Sequence, residues 1–165
     1  LKPGVIKINN VGYTAIEKSK KSKEIVENFS ECGLKGHVAK NIKEDVWKKL
    51  ILNCVLNPIT AILKIKNMEI ANKNLESLKK EIINECIKVA KKDGVNFKYH
   101  FIEEGINRIR KSDNLSSMYQ DILKGRKTEI DYLNGAVVEL GKKYNIKCPV
   151  NESLVAMIKF LENKY

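Results

Sequence analysis

Aromatic residues make up only 7% of this chain, and there are just two histidines. The histidines, His37 and His100, stand apart from each other. The four cysteines, Cys32, Cys54, Cys86 and Cys148, include no CxxC pair. Zinc-ligand spacing is therefore absent, and no metal site is expected. The cysteines read as reduced, structural thiols of a cytoplasmic protein. No stretch approaches roughly eighteen uninterrupted apolar residues, so no membrane span is expected. The opening residues, Leu1 to Asn10, do not form an apolar signal segment. Only two adjacent Arg-Lys pairs occur, Arg110-Lys111 and Arg126-Lys127. With so few aromatics, this argues against a dedicated nucleic-acid binder. None of the nine glycines falls in a GxGxxG spacing, so the chain carries no dinucleotide phosphate loop.

What is present suffices for a folded domain. The chain has 165 residues, 43% of them hydrophobic. That length fits one domain, or one domain plus part of another, with a core that needs no disulfide or metal. Lys and Arg number 31 against 20 Asp and Glu, a net charge of +11. Such a surface attracts phosphates and anionic substrates. A coding bias towards Lys, Ile and Asn explains the same numbers.

Hydrophobic periodicity divides the chain in two. Gly4 to Ile8 reads as a short strand, and Gly12 to Ile16 as a second. Ser22 to Cys32 reads as a helix closed by Gly33. Two strands and a helix do not make an independent sheet. Residues 1–38 are therefore expected to be the tail of an α/β domain whose earlier part is missing. Residues 39–165 read as helix after helix. The first covers Asp45 to Leu56, and Pro58 is expected to end or kink it. A short helix restarts at Pro58, with Asn57 placed to cap it. Further helices are expected at Leu75 to Lys92, about Lys98 to Lys111, and Ser116 to Lys124. Another opens at Thr128, with Asp131 as a relative of the capping box, and a last one runs from about Asn151 to Asn163. The fold class is mainly all-α, a multi-helix bundle after a short β-β-α remnant.

One helix breaks the apolar rule in an informative way. Along Asp45 to Asn57, Val46, Trp47, Leu50, Ile51, Cys54 and Val55 cover about half the circumference, and Leu52 and Leu56 lie opposite. Between these groups run Lys49, Asn53 and Asn57, at i, i+4 and i+8. Buried polar groups need partners. Two amides and an ammonium suit a small anion with hydroxyl or carbonyl groups. A polar network between helices, or a stripe facing water, accounts for the pattern more simply. Asn114-Leu-Ser-Ser117 and Thr128-Glu129-Ile-Asp131 are two further candidates. Taken singly, each also reads as helix-end chemistry.

Three segments together are more specific. They are Trp47-Lys-Lys-Leu-Ile-Leu-Asn53-Cys-Val-Leu-Asn57-Pro58-Ile-Thr60-Ala61, then Ser116-Ser117-Met118-Tyr-Gln120-Asp121, then Thr128-Glu129-Ile130-Asp131-Tyr132-Leu-Asn134-Gly135. In order and interval they resemble the 2-dehydropantoate 2-reductase (ketopantoate reductase) family, and Cys148-Pro149-Val-Asn151 resembles that family's end. The resemblance covers about Gly4 to Glu162.

That resemblance implies a Rossmann-type domain that binds NADPH and a helical domain that closes the substrate cleft. The helical part is similar to the C-terminal domain of 6-phosphogluconate dehydrogenase. The implied reaction reduces ketopantoate to pantoate for pantothenate and coenzyme A synthesis, and relatives reduce other 2-oxo acids. Lys49 is implied as the catalytic general acid. Asn53, Asn57, Asn67 and Ser117 are implied as substrate ligands, with Asn114 nearby. Glu129 is implied as the acidic residue at the cofactor and lysine side, where it would favour the charged lysine. Expected partners are a small 2-oxo acid, the nucleotide-binding domain missing from this chain and, since the family's helical domain often contributes to dimer contacts, a second copy. The chain is expected to be a substrate-side fragment, inactive alone. A non-catalytic helical binding or dimerisation module is the competing reading.

Overall fold

A computed structural model describes residues 3–5, 12–96, 100–109 and 113–164, the side chains of residues 100–103 and 108 excepted. The chain forms two compact units, Leu1–Val46 and Trp47–Tyr165.

In the first unit, strand β1 (Tyr13–Ile16) leads through helix α1 (Ser22–Glu31) to strand β2 (Lys35–Val38). The strands pair in parallel, with Tyr13 opposite Lys35 and Ile16 opposite Val38. Parallel neighbours need a crossover, and α1 supplies it. Ser22 fixes the start of α1: its buried hydroxyl donates to Glu17 O at 2.6 Å. Gly33, at φ +71°, turns the chain back. β2 then passes close under α1, and a Cβ on Gly36 would meet the Phe29 ring at 3.2 Å. The order in these residues is therefore β-α-β, because the weakly patterned Lys35-Gly-His-Val segment becomes a strand by pairing with β1. Most of the strand expected at Gly4 to Ile8 lies outside the described residues. Gly4 itself sits in a turn at φ +79°.

The helical unit is built around α2 (Ile42–Leu63), followed by two 3-10 turns (Asn67–Ala71 and Lys73–Leu75) and α3 (Glu76–Lys92). After these come α4 (His100–Ile109), α5 (Ser117–Leu123), a 3-10 turn (Ile130–Tyr132), α6 (Asn134–Lys143) and α7 (Pro149–Glu162). One core joins Ile51, Cys54, Val55 and Ile59 of α2 to Ile82, Cys86 and Val89 of α3, Val137 of α6 and Leu154 of α7. Full burial of each large aliphatic side chain contributes about 1.5–3 kcal/mol. A smaller cluster gathers Ala61, Met118, Ile122, Ile130 and Ile158. Polar bonds set the helix ends. Asp93 accepts from Trp47 Nε1 at 2.9 Å and from Tyr144 Oη at 2.8 Å. Glu85 accepts from the Val150 and Asn151 amides, both at 2.9 Å, and so caps α7.

Two expectations are corrected here. First, α2 neither ends nor restarts at Pro58. It runs unbroken for 22 residues with Pro58 inside, and Asn57 is a buried helical residue, not a cap. Proline lacks the amide that would reach the carbonyl four residues back, that of Cys54. Asn134 Nδ2 supplies a donor there, at 3.1 Å. The unbroken α2 is also long and apolar enough to cross a membrane by length and composition, though half of that stretch is buried inside the protein. Second, Thr128 does not open a helix. Its hydroxyl accepts from Ile130 N at 3.2 Å, its amide donates to Glu162, and α6 starts only at Asn134. Asp131 pairs with Lys159 at 2.7 Å rather than reaching back as a cap.

Candidate active site

The polar stripe of α2 grades from solvent into the protein. Lys49 is exposed, Asn53 is half-buried, and Asn57 is 5% exposed. Because α2 is continuous, the three residues lie one turn apart on one face. None of their side chains has a hydrogen bond or ion pair among the described residues. Free amides on an otherwise apolar helix are available to a ligand.

Three bonds draw the segment before α5 to this end of α2. Thr60, completely buried, has its Oγ1 at 2.7 Å from Ser116 Oγ. The same hydroxyl lies at 2.8 Å from Leu56 O and 3.1 Å from Asn57 O, so it touches the backbone of the stripe directly. Asn67 N donates to Asn114 O at 2.9 Å. Lys66 and Asp113 form an exposed ion pair at 2.7 Å, and that carboxylate raises the lysine's pKa. Asn57, Asn67, Asn114 and Ser117 are thereby tied into one connected region. Asn67 is 9% exposed, and its Oδ1 is buried without a partner among the described residues. An orphaned acceptor is costly unless something fills it.

Of the two serines, the buried Ser116 takes the structural role, with its Oγ accepting from Tyr119 N at 3.2 Å to cap α5. Ser117, the first residue of α5, is left exposed and available. Glu129 is exposed and flanks the 3-10 turn. Its segment is bolted to the end of α7 on both sides, by Thr128 N to Glu162 and by Asp131 to Lys159. No ion pair joins Glu129 to Lys49 among the described residues. One cavity of about 600 Å³, lined by Lys142, Asn145, Lys147 and Glu152 among others, contains none of these residues. No group of three metal-ligating side chains occurs among the described residues.

Sequence reasoning missed Thr60 and Asn134, which act on α2 through its carbonyls. A signal for Asn134 existed. A proline inside a long apolar helix orphans a carbonyl, and a buried asparagine elsewhere is the kind of residue that pairs it.

Residues 41–162 match the family described as Ketopantoate reductase PanE/ApbA C terminal. The 2-dehydropantoate 2-reductase of Pyrococcus horikoshii is 36% identical over 98% of this chain, which spans 56% of that protein. The crystal structure of a PanE/ApbA family ketopantoate reductase from Ralstonia eutropha JMP134 superposes with a TM-score of 0.85 at 29% identity, over 94% of this chain and 53% of that one. D-mandelate dehydrogenase, solved with NADH and anilino(oxo)acetate, superposes with a TM-score of 0.85 at 27% identity, over 96% and 69%. In fold and in sequence, then, this chain belongs to the ketopantoate reductase family, whose C-terminal domain it carries.

Proposed function

We propose that this chain is the substrate-side part of an NADPH-dependent reductase that converts 2-dehydropantoate to pantoate. The observation that carries this reading is the unpaired stripe Lys49, Asn53 and Asn57 on a core helix, set beside Asn67, Asn114 and Ser117. The nicotinamide cofactor has no phosphate cradle in this chain, because none of its glycines has GxGxxG spacing. Residues 1–38 are read as the tail of the domain that would hold it, and Glu129 is the one residue assigned to its side of the cleft. When bound, the cofactor supplies the hydride.

The chain's own residues handle the substrate. Lys49 holds a proton at the keto oxygen, where negative charge grows as the carbonyl carbon is reduced. A donor within hydrogen-bond reach stabilises that charge and then protonates the oxygen. The Asn53 and Asn57 amides, further into the protein, fix the substrate's hydroxyl and carbonyl groups. Ser117 donates to the substrate carboxylate, and Asn67 stands beside it as a further substrate ligand. Burial at the Asn57 end excludes water there, which strengthens the bonds that Asn57 makes.

A second reading keeps the chemistry and changes the acid. The close superposition on D-mandelate dehydrogenase supports a reductase of another 2-oxo acid. Steady-state assays of the full-length protein separate the two. 2-Dehydropantoate with NADPH is expected to give kcat/KM at least about tenfold above an aryl 2-oxo acid or NADH. A preference for the aryl acid would move the assignment to the second reading.

A further inference from the structure

Asn134 is completely buried, and it donates into the backbone of α2 between two residues of the polar stripe. We propose that Asn134 is a positioning residue: its amide stands in for the N–H that Pro58 lacks, and so keeps Asn53 and Asn57 aligned with Lys49. This inference rests on the stripe being the substrate site.

The need for a donor follows from covalent structure. In an uninterrupted helix the amide of residue 58 would pair with the carbonyl of residue 54. Proline has no such amide, and its ring crowds that same carbonyl, so helices usually kink or stop there. Cys54 is completely buried, so water cannot serve as the replacement. Asn134 Nδ2, 3.1 Å from Cys54 O, is the donor that lets α2 continue. Cys54 lies directly after Asn53 and three residues before Asn57, so the repair falls inside the stripe.

The orientation of the Asn134 amide is fixed by its neighbours. Nδ2 also donates to Asn151 Oδ1 at 2.9 Å. Turning the amide over would set its oxygen against two acceptors. Its Oδ1 is left buried without a partner among the described residues, so the side chain keeps its donors satisfied at the expense of its acceptor. The far end of the chain of bonds is anchored at several points. Asn151 Nδ2 donates to Glu85 Oε2 at 2.7 Å, and Glu85 also holds two backbone amides of α7. The buried sequence Glu85, Asn151, Asn134, Cys54 O thus references the gap in α2 to α3, α6 and α7.

A cycle in the full-length protein tests this, using Asn134→Leu, Pro58→Ala and the double variant. Leucine has the branching and heavy-atom count of asparagine but no donor, whereas alanine at 58 returns the missing N–H. Asn134→Leu is expected to raise KM for 2-dehydropantoate about tenfold, with kcat changed less than about threefold because Lys49 lies upstream of the gap. In the Pro58→Ala background the same substitution is expected to raise KM no more than about threefold. An equal loss in both backgrounds, or no loss in either, overturns the proposal. Asn134→Leu that folds only together with Pro58→Ala supports it, and failure to fold in both overturns it. Should the parent protein reduce no 2-oxo acid, the functional reading falls by itself. Urea unfolding then decides the backbone claim: Pro58→Ala must still reduce the stability lost in Asn134→Leu, and an undiminished loss overturns it.

Discussion

Replacing Thr60 with valine removes one hydroxyl and leaves the side chain's size almost unchanged. The consequences fall mainly on Ser116. Thr60 Oγ1 carries one hydrogen and faces three acceptors, Leu56 O, Asn57 O and Ser116 Oγ. The two helical carbonyls keep their ordinary backbone partners in the variant. Ser116 is 3% exposed and loses its one side-chain hydrogen-bond partner among the described residues, so a buried hydroxyl is left half-satisfied. Such a group costs about 1–3 kcal/mol. For a chain of this size, ~2 kcal/mol lowers Tm by about 4–8 °C. Urea unfolding followed by the fluorescence of Trp47 reads this directly, because it is the sole tryptophan and lies buried in the helical unit. Ser116→Ala removes the cap of α5 and costs ~1 kcal/mol on its own. The double variant leaves no orphaned hydroxyl, so its loss should fall short of the sum by about 1 kcal/mol. Strictly additive losses would show that the two hydroxyls do not act as a pair and refute the reasoning.

Other outcomes follow from the same geometry. Gly141→Ala should destabilise the helical unit by about 1–3 kcal/mol in urea unfolding, because overpacking forces neighbours to shift. The added Cβ would lie 2.8 Å from Ile146 O and 2.9 Å from Cys148 Sγ. Stability should also fall at alkaline pH. Burial raises the Cys148 thiol from 9.0 to about 11, and the Cys54 thiol, then burial, pushes Cys86 well up. With folded values raised, the native state holds protons that the unfolded chain releases, so stability is full below about pH 9 and is lost as pH climbs towards 11. Cys148→Ala should flatten that slope in unfolding experiments between pH 8 and 11, and an unchanged slope would count against the assignment.

Much of the helical unit is legible in the sequence because its punctuation is local. Gly94 and Gly125 follow α3 and α5 at φ +88° and +61°, and Pro149 opens α7 at its first position. The elements that escaped depend on distant partners. β2 has a glycine and a single β-branched residue, and it exists through its pairing with β1. The Pro58 break is overridden by an asparagine 76 positions later, a bond no window of local pattern can contain. Thr128 looks like a cap, yet its amide is taken by Glu162, and the helix waits until Asn134. The site divides in the same way. Lys49, Asn53 and Asn57 stand out because they interrupt an apolar surface at helical spacing. Asn67 and Asn114 come together through a backbone bond between a 3-10 turn and the segment before α5, and Asn134 and Thr60 act through carbonyls that carry no sequence label.

The most direct test of the central claim is turnover of the full-length protein with Lys49 replaced by alanine. In the proposed function that exposed lysine, at the open end of the stripe, donates the proton to the reduced carbonyl oxygen. A fall in kcat with 2-dehydropantoate of roughly 10²–10⁴ is expected, with calorimetric affinity for the dinucleotide nearly intact. Turnover within about threefold of the parent would contradict it.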